Sequence, residues 1–137
     1  MQQIGALPYR ISPEGELEVL MITSRGNGRW IIPTGNLIQG LKPHQVAARE
    51  AFEEAGINGK ADGKSIGKFR YNKQRPGRSD ADVEVTVFPM LVTEQLQDWP
   101  ERRQRERRWL NPIAASHLAD DLGLKRLLQV FHLTAQT

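Results

Sequence analysis

The sequence predicts an α+β fold in which strands flank two helical blocks, within one unit covering residues 1–137. Three observations predict it. Leu17 to Thr23 and Val83 to Thr93 are rich in β-branched and apolar residues, and the second places Val83, Val85 and Val87 on one face at the period of a strand. Pro43 to Ala55 and Leu122 to Leu133 follow the helical period instead, the latter with Leu124, Leu127, Leu128 and Phe131 on one side. A chain of 137 residues is also long enough to bury a single core.

The elements follow in order. Ile4 to Ile11 reads as a strand, and Pro8 within it suggests an edge or a bulge. Ser12-Pro13-Glu14-Gly15 turns the chain into the Leu17–Thr23 strand, and Arg25-Gly26-Asn27-Gly28 turns it again. Trp30 to Ile32 is a short buried strand that stops at Pro33, with Trp30 expected in the core. Thr34 to Pro43 reads as a loop. Pro43 suits the first turn of the next helix, and Gly56 suits its C-terminal stop. Asn58 to Lys64 reads as a polar connection, Ile66 to Asn72 as a strand, and Lys73 to Ala81 as a basic Gly/Pro loop before the long Val83–Thr93 strand. Gln104 to Leu110 is expected to be a strand ending at Asn111-Pro112, followed by helices over 113–118 and 122–133.

Composition narrows the function classes. Apolar residues at 39% and charged residues at 26% are ordinary for a globular protein. No apolar run approaches the roughly 20 residues needed to span a bilayer. Met1 to Arg10 lacks the pattern of a signal peptide, and there is no Cys, which excludes disulfides and thiolate metal sites. A cytoplasmic protein with no membrane partner is expected. Charge is uneven around a net +3. Lys60 to Asp80 carries seven Lys/Arg against two Asp, and Glu101 to Arg108 carries five Arg against two Glu. The helix that starts at Pro43 is acidic.

That helix holds the most informative segment, Arg49-Glu50-Ala51-Phe52-Glu53-Glu54-Ala55-Gly56-Ile57. At about 100° per residue, Glu50, Glu53 and Glu54 share one face, and Ala48, Ala51, Phe52 and Ala55 the opposite one. Adjacent carboxylates repel, and a hard divalent cation such as Mg²⁺ would offset that repulsion through oxygen ligands. The ordinary role of such a face is solvation. An acidic face beside basic segments suits an anionic substrate bridged through a metal, whereas a lone basic residue is commonly just a solubilising one.

The context of the segment carries a resemblance. Gly35, Arg49, Glu50, Ala51, Glu53, Glu54, Gly56 and Ile57 fall in one register across 23 residues and resemble the Nudix box, G-x5-E-x7-R-E-U-x-E-E-x-G-U, where U is apolar. The preceding strands and the later segment around Trp109 also look like the family. The resemblance implies an α/β/α sandwich around a central mixed β-sheet. It implies a Mg²⁺-dependent hydrolase, with Mn²⁺ able to substitute, that cleaves the phosphoanhydride of a small phosphorylated substrate such as a nucleoside diphosphate derivative. On the matched positions, Glu50, Glu53, Glu54 and the Gly35 carbonyl would hold metal, and Glu53, Glu50 and Arg49 are the candidate catalytic residues. Glu53 is the first candidate general base. Glu106 is a second, although a surface residue paired with a neighbouring Arg is its plainer role.

The chain departs from the box at one position. The first box Glu is Leu41 here, so Arg49 lacks its usual partner and is expected to pair with Glu53 or another carboxylate. Within the family the chain most resembles diphosphoinositol polyphosphate phosphohydrolase-like members, through Trp30-x-x-Pro33-x-Gly35 and the Arg-rich run before Trp109. Dinucleoside polyphosphates also suit the basic loops. Arg25, Arg29, Lys42, Arg70, Lys73 and Arg75 are candidate phosphate contacts. His44 has no second His at metal spacing and reads as a helix-start surface residue. Trp99 and Trp109 could stack on a base, with packing the simpler role. Two alternatives stay open: a Nudix-fold module that binds a nucleotide or phosphorylated ligand without turnover, motivated by Leu41, and an RNA 5′-end hydrolase. Nucleic acid is otherwise not the expected partner, and the sequence sets no oligomeric state.

Overall fold

A computed structural model describes residues 1–135. Eight strands form one sheet: β1 (Gln2–Ile11), β2 (Leu17–Thr23), β3 (Trp30–Ile31), β4 (Thr34–Asn36), β5 (Ile57–Ala61), β6 (Gly67–Lys73), β7 (Ala81–Gln95) and β8 (Arg107–Leu110). The helices are α1 (Pro43–Ala55), α2 (Pro112–Leu118) and α3 (Leu122–Ala135). The sheet is mixed. β1 runs parallel to β7 from Gln2↔Glu84 to Tyr9↔Leu91, and every other pairing is antiparallel.

Strand alternation feeds two cores, one on each face. Val19 and Met21 join Leu7, Val83, Val85 and Val87 against Ala115, Leu124 and Leu128 of α2 and α3. Leu20 and Ile22 point the other way and join Ile4, Ala6, Phe88 and Met90 against Val46, Ala47, Ala51 and Ala55 of α1. The strands are therefore apolar on both faces, as an internal sheet layer requires. The result is the α/β/α sandwich with a central mixed sheet.

Several expectations shift. Pro8 lies in an interior strand, not at an edge. It sits where the second neighbour of β1 changes from β4, paired at Gln3–Gly5, to β2, paired at Tyr9–Ile11, so its missing N–H interrupts neither ladder. Residues 34–36 were expected within a loop but form β4 against β1, with Gly35 opposite Ile4. Residues 57–61 form β5, an edge strand on β7, where a polar connection was expected; the exposed polar side chains and a register shift at Asn58/Gly59 hide the period. The strand expected from Gln104 begins only at Arg107, after a 3₁₀ turn over Arg102–Gln104. On α1 the buried residues are Val46, Ala47, Ala51, Glu54 and Ala55, while Phe52 is turned to solvent. The opposition of an acidic and an apolar face is thus only partial: Glu54 is rotated into the protein.

Candidate functional site

The site is built at the C-terminal half of α1, where it faces β4 and the end of β2. Pro43 occupies the first turn, and the Gln45 side chain accepts the Lys42 N–H at 2.8 Å. Gly56 ends the helix with φ 67° and donates its N–H to Phe52 O. Only glycine suits that position, because a Cβ there would also lie 2.4 Å from the Trp99 ring.

Glu50 and Glu54 lie one turn apart on the helix, and their carboxyl groups are close enough to shift each other's titration. Glu54 is buried and lies 3.5 Å from Arg105 Nη2, and Thr34 N–H points at the same oxygen from 3.4 Å. Burial pushes the Glu54 carboxyl up to about 9 against the pull of Arg105, with Glu50 and Glu101 adding like charge. Glu50 is also raised, first by burial and then by Glu53 and Glu101. Without a cation, burial and the neighbouring like charges therefore favour the protonated form of Glu54.

Glu53 takes a different direction: its Oε1 accepts Arg49 Nε at 3.3 Å. This is the substitute partner expected for Arg49. Leu41 packs with Ile38 onto the α1-side core, so the loop before the helix is held by apolar contact where the box would place a Glu. Gly35 lies directly against Glu50: a Cβ on it would sit 2.3 Å from Glu50 Cδ. Among the described residues, no three His, Asp or Glu side chains converge as a ready-made metal cage. The donor chemistry nevertheless fits a hard divalent cation. Two carboxyls that burial and like charge both disfavour as anions stand together, Glu50 directly against Gly35, and Glu101 is close enough to raise both.

An open cleft of about 210 Å³ adjoins the cluster through Thr34. Arg25, Arg29, Lys73 and Tyr71 line it above an apolar floor that includes Ile32 and Phe69. Arg29 is tied to Asp121 at 2.7 Å, and Asp120 approaches it at 3.7 Å. Burial, reinforced by Asp121, raises the Tyr71 phenol, which stays protonated and donates to Gln3 Oε1 at 2.9 Å.

Three of the six candidate phosphate contacts are thus gathered at the cleft, and three are not. Arg70 projects from the other face of β6 and pairs with Asp82 and Glu84 at 3.0 Å each. Arg75 bonds the Ser79 carbonyl within its own loop. Lys42 is exposed at the start of α1. Glu106 is exposed, and its backbone, not its carboxylate, engages Thr23. Trp30 is half-buried against the core. Trp99 and Trp109 are engaged in packing: each ring carries an Arg guanidinium at 4.0 Å, Arg107 on Trp99 and Arg10 on Trp109.

Sequence reading missed Arg105, Glu101 and Asp121. The i, i+4 spacing of Glu101 and Arg105 was the available signal, obscured by four other Arg in the same run.

The NUDIX domain model matches residues 1–131. The chain belongs to the Nudix hydrolase family. Among its Nudix relatives, "Nudix hydrolase 17, mitochondrial" of Arabidopsis thaliana is 36% identical over 94% of this chain and 72% of its own length. Diphosphoinositol polyphosphate phosphohydrolase 3-alpha of Mus musculus is 39% identical over 70% of this chain and 56% of its own. The chain spans about two thirds of the length of the plant relatives, 65% in the case of Nudix hydrolase 21, chloroplastic. Among solved Nudix folds, an Ap4A hydrolase of C. elegans superposes with TM-score 0.72 at 22% identity, covering 98% of this chain and 97% of that one. The Nudix domain of a Shewanella oneidensis protein in complex with ADP ribose gives 0.70 at 15% identity, covering 98% and 88%. None of the described helices is long and apolar enough to cross a membrane.

Proposed function

We propose that this protein hydrolyses a phosphoanhydride bond in a small, strongly anionic molecule, with Mg²⁺ held by Glu50, Glu54, Glu53 and the Gly35 carbonyl. The observation that carries this reading is the junction at Thr34, where the paired carboxyls of Glu50 and Glu54 meet a cleft lined by Arg25, Arg29 and Lys73. When bound, Mg²⁺ would offset the charge of the phosphate oxygens and make water a better nucleophile. The basic residues of the cleft bind and orient the remaining phosphates. Glu53 receives the proton from water once Arg49 releases it, and Arg49 otherwise orients that carboxylate.

The names of the relatives suggest a diphosphoinositol polyphosphate or a dinucleoside polyphosphate as substrate; ADP-ribose is a third candidate. One unit over residues 1–137 and a cytoplasmic site of action complete the reading. The test is phosphate or nucleotide release, with Mg²⁺ and then Mn²⁺, from inositol pyrophosphates, dinucleoside polyphosphates, ADP-ribose and nucleoside triphosphates. Turnover that Glu53→Gln lowers supports the proposal. No turnover on any of them, with Glu53→Gln indistinguishable from wild type, sinks it.

One observation favours the second reading, a module that binds such ligands without cleaving them. The Arg49–Glu53 pair engages the candidate base. Calorimetric binding without hydrolysis over hours would select it.

A further inference from the structure

The acidic cluster is gripped from outside the box by residues 96–107, the excursion between β7 and β8. Every carbonyl at the end of α1 finds a donor there or in the Gly56 turn. Glu53 O accepts Glu101 N–H at 3.1 Å, and Glu54 O accepts Trp99 Nε1 at 3.1 Å. Ala55 O and Gly56 O accept Arg107 Nη1 at 2.9 and 3.3 Å, and Gly56 O also accepts Leu96 N–H at 2.8 Å. These are the groups a helix leaves unsatisfied at its C-terminus, so the excursion is fixed to this helix end by most of the bonds available to it.

Arg105 reaches back from the same excursion into the cluster. All three guanidinium nitrogens are used: Nη2 on Glu54 at 3.5 Å, Nε on Glu101 at 2.8 Å and Nη1 on Thr23 O at 3.0 Å. Its side chain and that of Glu54 are each 7% exposed. A buried fork making two hydrogen bonds and one ion pair fixes direction as well as charge, which an ammonium could not reproduce. The opposite end of the box has lost its ionic tie, because Leu41 leaves Arg49 to Glu53.

We propose that Arg105 and Trp99 are positioning residues that hold Glu54 at both ends, Arg105 by its carboxylate and Trp99 by its backbone carbonyl, and so set the geometry of the metal-binding face. The inference rests on the Mg²⁺-hydrolase reading above. Neither residue touches substrate; each acts through Glu54.

Calorimetric binding of Mn²⁺, at one pH, to the whole chain provides a readout apart from turnover. Arg105→Lys keeps the charge and loses the fork. It is expected to weaken Mn²⁺ binding and raise the Mg²⁺ needed for half-maximal turnover by about tenfold or more, as loss of a ligand's outer partner does. kcat falls with it, while KM for the best substrate stays within about twofold, since the cleft residues are untouched. A merely structural role would lower the melting temperature in EDTA without moving Mn²⁺ affinity. Should Arg105→Lys fail to fold, Trp99→Phe carries the test: it keeps a ring over Gly56, loses only the bond to Glu54 O, and is expected to weaken Mn²⁺ severalfold. Wild-type Mn²⁺ affinity in a folded Arg105→Lys, or in Trp99→Phe if that is the variant that folds, overturns the proposal. Wild-type protein that neither binds Mn²⁺ nor hydrolyses any polyphosphate overturns the hydrolase reading instead.

Discussion

Replacing Glu54 by Gln should stabilise the metal-free protein, although Glu54 is a candidate metal ligand. Glu54 is buried, and its folded-state pKa of about 9 stands well above the ordinary 4.5. The folded state therefore binds a proton that the unfolded state gives up across that interval. Stability is full below pH 4.5 and falls as pH rises towards 9. Each pH unit costs about 1.4 kcal/mol, so the penalty at pH 7 is about 3 kcal/mol at most. Gln carries no charge to desolvate, and its carbonyl can still accept from Thr34 N–H and Arg105. Urea unfolding in EDTA should show the variant more stable by up to about 3 kcal/mol at pH 7, or about 10 °C in melting temperature, shrinking below about 1 kcal/mol at pH 5. Saturating Mg²⁺ should reverse the order, since only the wild type retains the full binding face. A variant less stable than wild type at pH 7 in EDTA, or a gain of equal size at pH 5, would refute the reasoning.

Three further outcomes are expected. Gly35→Ala should leave folding almost intact, within about 1 kcal/mol by urea unfolding, because the atoms nearest its Cβ all belong to the Glu50 side chain, which can swing aside; a titration of activity against Mg²⁺ should nonetheless show a large loss of metal response as that carboxylate is displaced. Gly56→Ala should cost about 2 kcal/mol or more in the same unfolding assay, from the left-handed backbone together with the Trp99 ring in its way. Leu41→Glu should draw Arg49 away from Glu53 and raise kcat severalfold, at a cost of about 1–2 kcal/mol for the lost apolar contact; unchanged kcat would show that the Arg49–Glu53 pair does not limit turnover.

The legible parts of the chain were those where local signals suffice. α1 was readable from Pro43 to Gly56 because period, first-turn proline and terminal glycine agree. β2 and β7 were readable because their apolar residues are dense. β4 was not, since Gly35 and Asn36 are poor strand formers and the three residues pair because β1 offers them a partner. The carboxylate cluster followed from spacing within one helix. Its counter-charge did not: Arg105 lies 51 positions from Glu54, and nothing local separates it from Arg102, Arg103, Arg107 and Arg108. The same gap explains the candidate phosphate contacts. Strand alternation alone sends Tyr71 and Lys73 into the cleft and Arg70 away from it, but choosing which face is the cleft required the position of the α2–α3 layer, whose Asp121 lines it.

The parallel pairing of β1 with β7 imposes an order in time. Their pairing begins between residues 82 positions apart, Gln2 opposite Glu84, and β1 lies in the interior of the sheet. A nascent chain can coil α1 early, but the apolar bed of that helix includes Phe88 and Met90, which are synthesised some forty residues later. Until then β1 has exposed ladder groups and α1 has only part of its floor, from Ile4, Ala6, Leu20 and Ile22, a state open to mispairing. The face that carries Glu50, Glu53 and Glu54 thus gains its full support late, after a long loop has closed, however early its three glutamates are translated.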